Sequence, residues 1–202
     1  MSSQTMSGLK FIQASLDQSA LFSDCVALLD RTQGIGVYTS DHLARCASET
    51  DRILLLALLQ ERLVGVASGL VLPQEAPRGY AAFGRDVVDL FDHHRVGSLN
   101  MASVEESWQG RGIGQELTRR RIRWLGEAGC TAIVGISWNS GSEHNSARVF
   151  RKLGFTQLSH AEGYYAEASL HQGFLCPVCG SPPCRCSATL FVRNLSDPLT
   201  SP

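Results

Sequence analysis

The sequence has no long hydrophobic run. Its longest apolar stretch, Ile53 to Leu59, is seven residues, whereas about 20 are needed to span a bilayer. The opening of the chain shows no basic start followed by a hydrophobic block, so neither export nor membrane insertion is expected and a cytoplasmic location is. Charge of one sign is missing too. The 18 basic and 19 acidic side chains leave a net charge of −1, without the positive field that a general nucleic-acid or acidic-membrane binder needs. Nor is there a disulfide framework spread over the chain, an internal repeat or a low-complexity segment. Of seven cysteines, an odd number, Cys25, Cys46 and Cys130 are scattered and the other four crowd between 176 and 186. What is present is an ordinary globular balance, 44% hydrophobic and 18% charged. At 202 residues the chain exceeds a usual domain of roughly 100 to 150, and one domain with an appendage is expected.

Switching periodicity sets the order of elements. An extended piece near Leu9 to Ala14 precedes a helix from Ser19 to Arg31, with Leu21, Cys25, Leu28 and Leu29 on one face. A short helix follows from Ser40, read as its N-cap, to Ala47. Arg52 to Leu59 and Leu63 to Leu72 read as a hairpin, and the irregular stretch Pro73 to Arg95 as a crossover with a helix at Arg85 to His93. Gly97 to Val104 reads as a strand, Ile113 to Ala128 as a helix, Thr131 to Trp138 as a strand and Asn145 to Leu153 as a helix closed by Gly154. Phe155 to Leu158 and Ala188 to Val192 complete the strands, and the tail from 195 to 202 is expected to be loose.

The most informative segment is Val104 to Gly114, where Gln109-Gly110-Arg111-Gly112-Ile113-Gly114 joins a strand end to a helix start. Glycines there let backbone amides approach an anion, and the first-turn N–H groups with the helix dipole suit a pyrophosphate. The Walker pattern GxxxxGK[ST] is absent and the dinucleotide fingerprint GxGxxG is unmatched. A glycine-rich helix start without a ligand is the plain alternative.

These residues resemble the GNAT-fold N-acetyltransferases, whose signature Q/R-x-x-G-x-G/A is similar to Gln109 to Gly114. Asn145-Ser-Ala-Arg-Val-Phe150-Arg-Lys-Leu-Gly154-Phe155 resembles the family's second motif, and the strand ending at Val104 its fourth strand. The resemblance implies an α/β GNAT fold over residues 1–194, a mixed, mostly antiparallel central sheet flanked by helices. It also implies acetyl-CoA as cosubstrate, with Gln109, Gly110, Arg111, Gly112, Ile113 and Gly114 at the pyrophosphate. Backbone groups of Ala102, Ser103 and Val104 would pair with the pantetheine arm like an added strand. Asn145 would bond the cofactor or serve as a helix N-cap, and Phe150 would lie against the cofactor.

Catalytic groups are harder to find. Many members of the family place a tyrosine four residues before the motif glycine as the acid for the leaving thiolate, and here that residue is Phe150. The strands Gly97 to Val104 and Thr131 to Trp138 hold no carboxylate for a base. Tyr164 and Tyr165 are candidate replacements for the acid, although paired tyrosines often only pack. Glu105, Glu106, His144 and His160 read as solvated residues, and in the basic run of Arg119, Arg120, Arg121 and Arg123 the first and last share a far helix face with Glu116 that reads as ordinary solvated surface.

Cys176-Pro-Val-Cys179-Gly-Ser-Pro-Pro-Cys184-Arg-Cys186 places four thiols within eleven residues. A CxxC followed by glycine is a common zinc half-site, and residues i and i+2 of an extended segment point one way, so the four sulfurs can converge on structural zinc. Local disulfides and an iron–sulfur cluster are alternatives, disfavoured by a reducing setting and by the spacing. The segment also resembles one found in a bacterial subset of these acetyltransferases, and His171 is a spare ligand. The expected function is acetyl transfer to a small-molecule or peptide amine by direct attack, without nucleic-acid or membrane partners and with a homodimer left open. A non-catalytic acyl-CoA-sensing module and a zinc-loop interaction protein are the alternatives.

Overall fold

Apolar alternation builds the centre of the molecule. The computed structural model describes residues 6–139 and 146–195. Asn145, His144 and the chain from 196 onward lie outside the described residues. Strand β1 (Leu9–Gln13) is followed by a 3₁₀ turn over Leu16–Leu21 and by helices α1 (Phe22–Gln33) and α2 (Ser40–Ser48). Cys25, Leu28 and Leu29 of α1 are buried, as the i, i+3, i+4 spacing requires. The cap of α2 is Thr39 rather than Ser40, its hydroxyl accepting the His42 N–H at 3.2 Å. Strands β2 (Arg52–Leu59) and β3 (Arg62–Val71) form the expected hairpin, turned by Gln60 and Glu61 at φ of 49° and 65°.

After β3 come a 3₁₀ segment over Ala76–Phe83 and α3 (Arg85–His93). The stretch expected as one strand from Gly97 to Val104 is two, β4 (Val96–Leu99) and β5 (Ala102–Val104). Both pair with β3, but Leu70 opposes Ser98 on β4 while Ala67 opposes Ala102 on β5. The register therefore moves by one residue across Asn100 and Met101, which makes a bulge. Helix α4 (Ile113–Glu127) leads to β6 (Ala132–Asn139), then α5 (Ser146–Lys152), β7 (Thr156–Ala161), α6 (Ala166–Gln172) and β8 (Ser187–Asn194). Helix α6 was not foreseen from the sequence. Leu195 is still tied down, its N–H donating to the Thr131 carbonyl at 2.8 Å.

The strand order is β1-β2-β3-β4-β6-β8-β7 with β5 beside β3, and every pairing is antiparallel except β4 with β6. One face packs against α1, α2 and the Phe83, Val87 and Phe91 cluster. The other packs against α4 and α5 through Ile113, Leu117, Leu125 and Phe150. Strand β4 follows β6 as far as Leu99 opposite Gly135, whereas β5 pairs only with β3. Past Leu99 the sheet opens into a wedge between β5 and β6. No helix among the described residues is long and apolar enough to cross a membrane.

Candidate active site

The wedge meets the glycine turn. Gln109 folds back so that its Nε2 donates to the Val104 carbonyl at 3.0 Å, which anchors the turn to the strand end. Gly110 and Gly112 hold φ of 73° and 88°, and an added Cβ at either would meet nothing within 4 Å. Glycine is needed for the left-handed backbone rather than for room. Gly112 is the N-cap of α4, and its carbonyl accepts from the Glu116 N–H at 3.0 Å. The N–H groups of Ile113, Gly114 and Gln115 precede that first bond and stand unused by the helix ladder, at its positive end. Arg111 lies over the Trp108 ring, 4.6 Å from its centroid.

A groove of about 1430 Å³ runs from this turn through the wedge, large enough for a nucleotide-sized ligand and a second molecule. Arg148 and Lys152, one turn apart on α5, line it together with Gly112 and Gly114. Neither cation was singled out in the sequence. Phe150 lies between them in sequence and is buried, its ring 5.3 Å from Phe155 and 5.6 Å from Phe191. The tip of its ring reaches β6 because Gly135 has no Cβ, which would stand 2.7 Å from Phe150 Cζ. Phe150 is thus both core and part of the groove lining.

Strand β5 presents its free edge to the wedge in alternation. The Ser68 N–H donates to Met101 and the Glu105 N–H to Val64, so Ser103 also turns its backbone toward β3. Ala102 and Val104 face the groove with theirs. Gln33 Nε2 donates to the Ala102 carbonyl at 2.8 Å, and the Ser103 hydroxyl lies 2.6 Å from that of Thr32. The contribution Ser103 makes to the groove is therefore its side chain.

Arg121 departs most from the sequence reading, which took the arginine run as ordinary surface and left Arg121 out of the buried stripe. It is 1% exposed and lines the groove beneath the bulge. Its Nη1 donates to the carbonyls of Ser68 (3.1 Å) and Met101 (3.2 Å), and its Nη2 to Thr118 Oγ1 (3.0 Å). The bulge interrupts the ladder there, and the guanidinium occupies the place of a strand donor. Burial pulls its pKa down to about 9, so it stays mostly charged at neutral pH with only neutral partners.

On the opposite face of the sheet the groove is aromatic. Tyr164 packs on Phe83 at 4.8 Å and meets Tyr165 edge-on at 4.9 Å. Burial raises the Tyr164 phenol to about 12 and pushes Tyr165 higher still, aided by the neighbouring Tyr164. Both line the groove, as does Tyr38, whose hydroxyl donates to Gln33 Oε1 at 3.1 Å. Glu105 is paired with Arg31 at 2.5 Å and Glu106 lines the groove near the glycine turn. His160, on β7, bonds Thr189 of β8 and the neighbouring Glu162, outside the groove lining.

The four clustered cysteines come together. All four sulfurs lie within 4.8 Å of one another, with Cys176 to Cys186 at 3.8 Å, Cys179 to Cys186 at 3.5 Å and Cys184 to Cys179 at 4.0 Å. A disulfide needs about 2.05 Å, whereas a tetrahedron of sulfurs each about 2.3 Å from zinc has edges of about 3.8 Å. Cys176 and Gly180 exchange backbone bonds of 2.9 and 2.8 Å across the CPVCG loop. The N–H groups of Cys179 and Arg185 donate to Cys176 and Cys179 Sγ at 3.4 Å each, and the Arg185 N–H holds the Cys179 thiol below its ordinary range. His171 stands outside the cluster, exposed and 3.7 Å from Glu167. Cys25, Cys46 and Cys130 are free and buried.

Comparison with solved structures returns the same architecture. A chain of the NatC complex bound to Gag peptide and CoA aligns with a TM-score of 0.65 at 13% identity, covering 93% of this chain and 98% of that one. An acetyltransferase of the GNAT family from Streptococcus pneumoniae gives 0.60 at 17%, covering 93% and 99%. The Drosophila melanogaster polyamine N-acetyltransferase, which forms N-acetylagmatine, gives 0.64 at 16%, covering 93% and 100%. No curated protein matched. A model described as the acetyltransferase (GNAT) family matches residues 23–155, a span that runs from α1 through the wedge and the glycine turn to the end of α5. The chain belongs to the GNAT acetyltransferase family.

Proposed function

We propose that this protein moves the acetyl group of acetyl-CoA to an amine by direct attack in a ternary complex. The observation that carries the reading is the glycine turn opening onto a wedge in the sheet. The unused N–H groups of Ile113, Gly114 and Gln115 face one end of a groove whose other wall carries Arg148 and Lys152. That arrangement suits a pyrophosphate and a further phosphate. The backbone edge at Ala102 and Val104 suits an extended pantetheine arm, with Gln109 holding the turn in place and Asn145, which precedes Ser146 in the sequence, as a further ligand.

With the thioester in the wedge, the amine lone pair attacks the carbonyl carbon and a tetrahedral intermediate forms. The carbon–sulfur bond then breaks, the thiolate leaves, and the proton lost by the amine returns to sulfur through water or a phenol. Tyr164 and Tyr165 are the candidate phenols, since Phe150 has no proton to give. An acetyl-enzyme burst would contradict direct attack. Zinc is the metal we assign to Cys176, Cys179, Cys184 and Cys186, on the sulfur spacing and the N–H donors to sulfur. Four thiolates close its coordination, so its role is structural. A reducing cytoplasm fits the unpaired thiols.

A sensing module that binds acyl-CoA without turnover is the second reading, favoured by Phe150 and by the groove's single lining carboxylate among the described residues, Glu106. Calorimetric titration with acetyl-CoA tests the cofactor site that both readings share, and turnover with an amine separates them. The wild-type chain should bind, and Gly112→Asp, which sets a carboxylate at the phosphate turn, should weaken binding by about 100-fold. Undiminished binding by Gly112→Asp would overturn the assignment of the turn, and acetylation of any amine would reject the sensing reading.

A further inference from the structure

The acceptor side of the groove differs in chemistry from the cofactor side. Among the lining residues, Glu106, Arg121, Arg148 and Lys152 carry the charged side chains other than the tyrosines and cysteines, and all four lie on α5, on α4 or in the turn leading into it. Through the wedge, beyond Ile136 and Trp138 of β6, the described lining holds no Asp, Glu, Lys, Arg or His. Its apolar part is built from Val37, Tyr38, Tyr164, Tyr165 and the cysteine loop, which contributes Phe174, Pro177 and Val178, while Thr32, Gln33 and Gln172 add neutral polar groups. Of the acidic groups outside this lining, Glu105 pairs with Arg31, Asp30 accepts from the Gly36 N–H at 3.2 Å, and Glu162 and Glu167, on either side of Tyr164 and Tyr165 in sequence, pair with His160 and His171.

The cysteine loop is seated there firmly. Ile35 and Leu175 exchange two backbone hydrogen bonds of 3.0 Å, which join the loop to the α1–α2 connection. The Cys184 N–H donates to Ser169 Oγ on α6 at 2.8 Å, and the cluster packs on Val37, Trp138 and Tyr165. Gly34 allows the approach, since a Cβ on it would stand 2.8 Å from the Leu175 carbonyl oxygen. The loop that gathers the four sulfurs is therefore also a wall of the acceptor chamber.

We propose that the acceptor is a primary amine carried on an uncharged aromatic or branched aliphatic body, selected by the wall that the cysteine loop contributes. This rests on the acetyl-transfer reading and deepens it. An apolar body gains by leaving water against Phe174, Pro177 and Val178. A polyamine would have to desolvate its further ammonium groups where, among the described residues, no carboxylate lines this side of the groove to answer them. The reaction needs no additional reactant: the amine nitrogen gains the acetyl carbon, the carbon–sulfur bond breaks, and the amine proton goes to CoA sulfur.

The test uses the full, metal-loaded chain with saturating acetyl-CoA, and follows acetylated product by mass spectrometry with phenylethylamine, isoamylamine and spermidine. Phenylethylamine or isoamylamine should show kcat/KM at least about tenfold above spermidine. Val178→Asp, at a side chain 57% exposed and not needed for the core, should raise KM for phenylethylamine about tenfold and leave the calorimetric affinity for acetyl-CoA unchanged. Equal or better use of spermidine would overturn the acceptor class while the transfer reading stands. Acetyl-CoA binding without acetylation of either apolar amine would also overturn it. An unchanged KM in Val178→Asp would remove the cysteine loop as the selecting wall. Failure to bind acetyl-CoA would end the transfer reading and the proposal with it.

Discussion

Arg121 sits in a run of arginines, and the run conceals its role. Positions 113, 117 and 121 fall one helical turn apart, so Arg121 continues the buried stripe of Ile113 and Leu117. The signal was in the spacing, but a cation on an apolar stripe has no meaning until the strand carbonyls that receive it are known. Its donation to Ser68 fills a ladder position that the bulge leaves vacant. Arg121→Met would keep the stem and orphan the Ser68 carbonyl in the interior, at a cost of about 1–3 kcal/mol, offset in part by release of a desolvated charge. Urea unfolding should show a lower midpoint with little change in slope. Because the wedge begins at the same bulge, weaker acetyl-CoA binding should accompany it.

Among the elements, the β2–β3 hairpin follows its pattern most closely and still carries a local conflict. Apolar residues fill both strands because helices cover both faces of the sheet. Its two-residue turn puts Gln60 and Glu61 at positive φ, where Asn-Gly is the favoured pair. The one feature favouring Glu61 is an exposed contact with Lys10, a pair of the kind worth little. The double substitution Gln60→Asn, Glu61→Gly should therefore stabilise the fold by about 1 kcal/mol, read as a raised urea midpoint. At the other extreme is the split of Gly97 to Val104 into β4 and β5. No residue in Asn100-Met101 announces a bulge. It is imposed by pairing β3 on one side while β6 leaves on the other.

At the scale of the molecule, the cysteine loop ties separate regions together. It bonds the α1–α2 connection at Ile35 and α6 at Ser169, and it packs against the end of β6 at Trp138. A zinc held by its four thiolates would contribute to folding itself, since the unfolded chain has no preformed site. Stripping the metal with a strong chelator, or making Cys176→Ser, should lower the melting temperature by at least about 5 °C. Acetyl-CoA should still bind, because the glycine turn lies at the start of α4 and the wedge between β5 and β6. A metal-free preparation with an unchanged melting temperature would remove the structural zinc.

Most of the order of helices and strands, the left-handed glycine turn at the start of α4 and the grouping of four thiols were legible in the sequence, because each rests on local chemistry. Apolar periodicity needs only neighbours a few residues apart. Glycines at fixed offsets dictate left-handed backbone at Gly110 and Gly112, and cysteines within eleven residues can hardly avoid meeting. The opening between β5 and β6, the burial of Arg121 and the turning of Ser103 toward β3 depended on partners far along the chain. So did the bringing of Arg148 and Lys152 into one groove with the glycine turn, and of Phe174, Pro177 and Val178 into the lining that also holds Tyr38. Those relations come from register, from the hand and order of strands and from what packs against what, and only the tertiary structure decides them.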